Sequence, residues 1–483
     1  MSDVALQSAT QLTELLRSRK LSSRELLDSY LARIERLDRG VNAVVTLDVE
    51  GARRRADEAD AALARGVVWG PLHGLPMTIK DTFEVAGMRT TAGAPELSDH
   101  VPATDAVAVE RLRSAGAVIF GKTNVPLYAG DVQSYNDIFG QTNNPWNAER
   151  VPGGSSGGAA AAVAAGFTAV EIGSDIGGSI RHPANWCGVY GHKPTWGIIP
   201  MRGHIPGPPG TLSDADLVVA GPLARSAEDL DLVLGVTAGP MPEQARAWTL
   251  SLPPPRHTRL QDYRVAAWVD HPHCRVDEEV RERIEGAIEM LRRAGVRIAE
   301  PQGIDLAHIV DRYYRLLMPI ILSGFPEPVF ARMREMASAA PAGDQSTMAL
   351  LARYGTATHR DWISANEARA HVRAQMARFF EKFDVLLCPV SCAAAIPHDH
   401  TDPMVARTIQ VNGSTRPYFD LFSWIGLPTM AYLPASVAPV GRTRSGLPVG
   451  IQIVGAHLDD RTTIDFAGRI GELAGGFEAP PLR

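Results

Sequence analysis

Apolar side chains recur at helical spacing through the first 65 residues and then switch to short unbroken runs. In LSSRELLDSYLARIERLD, Leu26, Leu27, Tyr30, Leu31 and Ile34 fall on one face, and Ser22 or Ser23 is placed to cap the helix. GARRRADEADAALARG reads as a second, more exposed helix. PLHGLPMTIKD breaks that period. It is short, apolar and bounded by prolines, and it predicts a buried strand, Met77–Lys80, ending on a lysine. A helix in ATDAVAVERLRSAG then leads into a strand in AVIFGKTN. The alanine-rich run Gly157–Ala165 favours helix, and TAVEIGSD after it favours strand.

Beyond residue 200 the pattern loosens. Residues 200–215 predict a loop rich in glycine and proline, and Ser251–Arg256 repeats that composition ahead of a strand in YRVAAWVD. Val276, Val280, Ile284, Ile288 and Leu291 mark a helix face. A long helix over about Trp362–Phe383 and strands in DVLLCPV, TMAYLPA and VGIQIVG complete the set. This alternation of strands and helices predicts an α/β sheet protein.

Composition narrows the partners. The chain has 483 residues, 45% hydrophobic and 21% charged, enough to bury a large core. A net charge of -6 argues against nucleic-acid and membrane partners. The four cysteines, Cys187, Cys274, Cys388 and Cys392, are too few for a disulfide scaffold and read as reduced thiols. MSDVALQSATQLTELL lacks the layout of a signal peptide, and no weakly charged stretch reaches the ~20 residues of a membrane span. The expectation is a soluble cytoplasmic protein. HPHC (271–274) and HDH (398–400) lie in proline-flanked loops without a second matching cluster, so no metal is expected.

Two glycine-rich stretches carry the candidate chemistry. In VPGGSSGGAAAAVAAG the glycines run straight into a helix, unlike a linker, and no Gly-Lys-Ser/Thr marks a phosphate loop. Gly153–Gly157 fits G-x-S-x-G formally, but the polar NNPWNAERVP before it is not the strand that a nucleophile elbow needs. DIGGSIR (175–181), in contrast, follows a strand, and its successive backbone N–H groups can form an oxyanion nest around Ser179. Lys80, at the end of an apolar strand, is placed to lose its charge and act as a base. Asp81, Asp175 and Arg181 read as structural, the latter two as a pair beneath the loop. Ser156 reads as a cap of the following helix, and Cys187 as a buried inert thiol.

The block from GGSSGG to GHKPTWG resembles the amidase signature family, as do GLPMTIKD, FGKTNVP, FGQTNNPWN, GPLARSAEDLDLVL, FDVLLCPV and GLPVGIQIVG. The resemblance implies a central mixed β-sheet covered by helices on both faces. It also implies one amidase domain over 1–483, with a helical segment to about 65, a core of about 70–235, a variable region of about 240–380 and strands over about 384–456. It implies amide hydrolysis by a triad: Ser179 as nucleophile, Ser155 as relay after a cis peptide bond, and Lys80 as base. Ile176, Gly177 and Gly178 become the oxyanion hole, with the Ser179 N–H, and Tyr128, Ala129, Gly130 and Asp131 the substrate-binding segment. No cofactor is implied. Aryl or aliphatic amides are the expected substrates, with ester or carbamate (urethane) side activity, and Leu316–Phe330 is expected to cover the entrance. A homodimer is left open. The family also contains components of glutamine-dependent tRNA transamidases, which is the alternative. His192 and Ser174 depart from the usual family pattern, at positions expected to lie clear of the triad.

Overall fold

The computed structural model describes residues 4–482. The N-terminal helices Ala9–Arg17 and Ser23–Val41 each begin with a capping box, built on Ser8 and Ser22. A strand that the helical pattern does not predict, β1 (Val44–Leu47), follows at once. It pairs antiparallel with β3 (Val118–Thr123), and β3 pairs parallel with β2 (Pro76–Lys80). This three-stranded sheet places Lys80 at a strand end, with every residue of β2 buried.

Beyond it, apart from two short two-stranded sheets, the strands build an eight-stranded mixed sheet. Its strands are β4 (Val170–Asp175), β5 (Tyr190–Lys193), β6 (Val219–Ala224), β7 (Arg264–Ala267), β8 (Arg297–Ala299), β9 (Val385–Pro389), β10 (Ala435–Arg442) and β11 (Pro448–Gly455), in the order β8-β7-β9-β11-β10-β5-β6-β4. Only β8–β7 and β7–β9 are parallel. Helices pack against the sheet, including Arg181–Cys187 against β11 and Asp460–Ala474 against β10. The architecture is thus α/β with a large mixed central sheet. Helix Gly157–Ala165 is buried along its whole length. That explains its alanine, because a helix apolar all round belongs in a core and small side chains let neighbours approach.

Two local expectations are corrected. TMAYLPA is not a strand: Gly426–Met430 is a short helix, and the strand starts at Ala435. Pro428 stands within the first turn of that helix, where its missing N–H costs nothing, and Thr429 turns inward to Arg181. Leu316–Phe330 is broken ahead of Pro326 and not at Pro319. Pro319 lies inside a continuous helix, Leu306–Ser323, and Glu327–Ala339 follows as a second helix with no buried residue. The side chain from this region that reaches the glycine-rich loop is Tyr313, whose hydroxyl donates to the Ile176 carbonyl at 2.9 Å.

Among the described residues no helix is long and apolar enough to cross a membrane. All four cysteines are free and buried.

Candidate functional site

The two glycine-rich stretches meet beside the end of β2. Lys80 Nζ donates to Ser155 Oγ at 2.7 Å and to Ser174 Oγ at 2.9 Å. The Gly154–Ser155 peptide bond is cis. Gly154 is required there by close approach, since a Cβ would stand 2.6 Å from both the Asp131 carbonyl oxygen and the Gln133 nitrogen. The Ser156 N–H donates to the Ser179 carbonyl at 3.1 Å and ties the two loops together. Lys80 is fully buried and Ser155 nearly so, whereas Ser179 retains 6% exposure. The Ser179 hydroxyl has no hydrogen-bond partner among the described residues.

Ser174 does not lie clear of this cluster, as its place outside the triad motifs predicts. Its hydroxyl is one of the two groups that hold Lys80 Nζ. The signal was its position one residue before the end of β4. Alternation along that strand sends its side chain, like that of Ile172, to the face opposite Gly173 and Asp175. Its contact with Lys80 depends on how the two sheets pack. Ser156 heads helix Gly157–Ala165 without capping it through its side chain. Its hydroxyl instead donates to the Ser174 carbonyl at 3.3 Å and receives the Ser174 N–H at 3.4 Å.

Asp175 and Arg181 form the predicted pair beneath the loop. Arg181 donates to both carboxylate oxygens, at 2.8 and 3.0 Å. Its remaining N–H groups reach the Ile425 carbonyl, Gln452 Oε1 and Thr429 Oγ1. Burial alone would raise the Asp175 carboxyl, but the Arg181 guanidinium holds it well below the usual carboxylate range. The Asp175 carboxylate also accepts from the N–H groups of Gly178, at 2.9 Å, and Ile180, at 3.1 Å.

That contact corrects one member of the expected oxyanion hole. The Gly178 N–H points back to Asp175 and is not free to meet a substrate oxygen. Gly178 has φ 87°, a conformation that favours glycine, and this turn aims its N–H inward. Among the described residues the N–H groups of Ile176, Gly177 and Ser179 meet no acceptor, so they are the donors left for an anion.

The charge on Lys80 follows from its surroundings. Burial lowers its ammonium to about 7, against the opposing pull of Asp175 and Glu171. Burial pushes the Glu171 carboxyl up to about 8, partly offset by hydrogen bonds from Thr123 and the Ile172 N–H. Lys122 and Asp81 pair with each other at 3.3 Å, apart from Lys80 Nζ. His204, set edge-on to the Phe83 ring with centroids 4.7 Å apart, is kept neutral by burial and by the Lys80 charge.

The expected substrate segment is engaged internally. Tyr128 and Ala129 have φ of 48° and 56°, and the Tyr128 hydroxyl donates to Glu96 at 2.7 Å. The Asp131 carboxylate is closed off by Arg407 at 2.5 Å and the Tyr418 hydroxyl at 2.7 Å. Each Asp131 carboxylate oxygen thus already accepts an internal hydrogen bond, and what this stretch offers the relay turn is its backbone at Asp131–Gln133. Exposed Gly130 is its open point. Sequence reasoning missed the aromatic residues on the other side of the nucleophile loop. Phe422 lies 3.1 Å from where a Gly177 Cβ would be, with Phe419 and Tyr314 next in line.

Among the described residues no group of three or more His, Cys, Asp or Glu side chains is arranged to hold a metal ion.

The chain is similar to known proteins along nearly its whole length. The sequence pattern of the Amidase family matches residues 25–464. The A-subunit of the glutamyl-tRNA(Gln) amidotransferase of Roseiflexus sp. (strain RS-1) is 34% identical over 95% of this chain and 94% of its own. A protein solved in a vestigial complex, described as revealing the evolutionary origins of an s-triazine catabolic enzyme, aligns with a TM-score of 0.81. Its identity is 26%, over 98% of this chain and 100% of its own. A bacterial aryl acylamidase aligns with a TM-score of 0.78 and 25% identity, over 97% and 96%.

These relatives correct one expectation. The acidic net charge argues against a nucleic-acid partner, but the Roseiflexus relative is part of an enzyme named for tRNA. Net charge sums the whole surface, and it says nothing of a local patch or of a partner protein that carries the contact.

Proposed function

Because the chain belongs to the Amidase family, we propose that it cleaves a carboxylic amide C–N bond through an acyl-enzyme on Ser179. In this reading neutral Lys80 takes the Ser155 proton as Ser155 takes that of Ser179, and Ser179 Oγ attacks the carbonyl carbon. The oxyanion meets the N–H groups of Ile176, Gly177 and Ser179. The proton returns through the relay to the leaving nitrogen, the C–N bond breaks, and water then hydrolyses the ester. The observation that carries the reading is the buried 2.7 Å hydrogen bond between Lys80 and Ser155, beside a hydroxyl without an internal partner.

For the substrate, the relatives favour the alternative over a free aryl amidase. The chain is one component of a glutamine-dependent tRNA amidotransferase, releasing ammonia from the glutamine side chain. The carrying observation is the 34% identity that extends along nearly the whole of both chains. The test is ammonia release from L-glutamine by the chain alone and after co-expression with candidate partner proteins. Glutamine turnover that rises on assembly is expected.

One observation favours a second reading, a free amidase for aryl or aliphatic amides with ester or carbamate side activity. Aromatic residues Phe422 and Phe419 flank the nucleophile loop, while the nearby charged pair Asp131–Arg407 is closed on itself. Turnover of 4-nitroacetanilide without turnover of glutamine would select it and reject the amidotransferase reading.

Both readings share a pH dependence. The relay needs neutral Lys80, whose ammonium lies at about 7. Rate is expected to rise with pH through an acid limb centred there, and to fall about tenfold per unit well below it. The rate of phosphonylation by a fluorophosphonate, which needs no known substrate, measures the limb. A flat profile between about pH 6 and pH 9 would reject Lys80 as the base.

A further inference from the structure

Lys80 Nζ has two hydrogen-bond partners among the described residues, the hydroxyls of Ser155 and Ser174. The carboxylates of Glu171 and Asp175 act on it through space. An ammonium carries three N–H donors, whereas a neutral amine carries two and one lone pair. When Lys80 takes a proton it therefore has two oxygens to share its charge, and one belongs to Ser174. That residue is 3% exposed, and its backbone N–H and carbonyl both bond to Ser156, so its position is held independently of Lys80.

We propose that Ser174 is a positioning residue of the proton relay, whose hydroxyl oxygen supports the charged form of Lys80 created during attack and directs the neutral amine's lone pair to Ser155. The inference rests on the relay reading of Lys80, Ser155 and Ser179.

The sign of its effect separates it from packing. A hydrogen bond to the charged form favours that form, so its loss leaves Lys80 neutral at lower pH. A Ser174→Ala chain should then run its acid limb at lower pH while its plateau rate falls. A purely structural defect lowers the plateau and leaves the limb in place. The other groups facing Lys80 are Glu171 and Asp175 on β4 and His204 on the loop packed beside Phe83, with Lys122 on β3 acting through Glu171. All of them are retained in the variant.

The experiment is phosphonylation of the full chain by a fluorophosphonate across pH, for wild type, S174A, S174T, K80A and S179A. In the reaction the Ser179 Oγ–P bond forms, the P–F bond breaks, fluoride leaves, and the hydroxyl proton passes through Ser155 to Lys80. For S174A the limb is expected about half to one unit lower, with a plateau about tenfold down. S174T, which restores the hydroxyl, should return both to within about threefold of wild type. A limb that stays put or moves up in folded S174A overturns the proposal, as does a folded S174T that matches S174A. Should S174A fail to fold, S174C carries the same criterion, because its thiol leaves no empty space and is a much weaker acceptor than a hydroxyl. Wild-type labelling of K80A or S179A would instead overturn the relay reading itself.

Discussion

Replacing Ser179 by alanine is expected to abolish fluorophosphonate labelling and to cut turnover of any accepted amide by about 10^4-fold or more. No neighbouring hydroxyl can substitute. Ser155 is nearly buried and already bonded to Lys80, and Ser156 is fully buried and occupied by the Ser174 backbone. The variant should fold normally, because the Ser179 hydroxyl has no internal partner to leave behind, and the surrounding contacts are backbone ones. Lys80→Ala should be nearly as severe by a different route. It removes the amine that bonds Ser155, and leaves two buried hydroxyls facing a gap. Intact-mass detection of the phosphonyl adduct, together with a thermal melt, tests both. A folded S179A chain that still takes up the label would place the nucleophile elsewhere.

Arg181→Leu is expected to have the largest effect on stability, about 3–5 kcal/mol, because it leaves the Asp175 carboxylate buried without its counter-ion. Arg181 also anchors the Ile425 carbonyl, Gln452 and Thr429, so the same change frees three buried acceptors on β11 and around helix Gly426–Met430. The acid response should change in a defined direction. In wild type the Asp175 carboxyl lies below its unfolded value, so its contribution is present above about pH 4 and lost only as pH falls further. Without Arg181, burial is opposed only by the Lys193 charge and the backbone N–H groups, so that carboxyl rises and acid unfolding should set in at higher pH. Thermal and acid denaturation midpoints measure both effects. A variant that melts within a degree or so of wild type would mean that water replaces the guanidinium, and that the pair does not hold the loop.

The legible parts of the site are those encoded by local pattern. A lysine closing an apolar strand, an alanine-rich helix after GGSSGG, and a strand running into DIGGSIR can each be read over about ten residues, and each lies where the pattern predicts it. The Asp175–Arg181 pair is legible for the same reason, since its partners are six residues apart. The departures have a common cause in longer-range packing. TMAYLPA has a strand-like composition, but Thr429 is drawn inward by Arg181, 248 residues away in sequence. Asp131 is available for substrate on sequence grounds, but Arg407 closes over it, 276 residues further on. Gly178 belongs to a stretch able to form a nest, and only the turn reveals that its N–H faces Asp175.

The amino-acid sequence alone thus determined the α/β class, the family, and the lysine and serine, Lys80 and Ser155, that the site joins by a hydrogen bond. Those features depend on residue type and short spacing, which survive without coordinates. Tertiary structure decided which polar groups are still free. Ser174 joins Lys80 across 94 positions, the Tyr128 and Asp131 side chains are engaged, and of the candidate anion donors Ile176, Gly177 and Ser179 meet no acceptor among the described residues. A hydrogen-bonding group is available to a substrate only if nothing within the fold has already claimed it, and that depends on every segment packed around it.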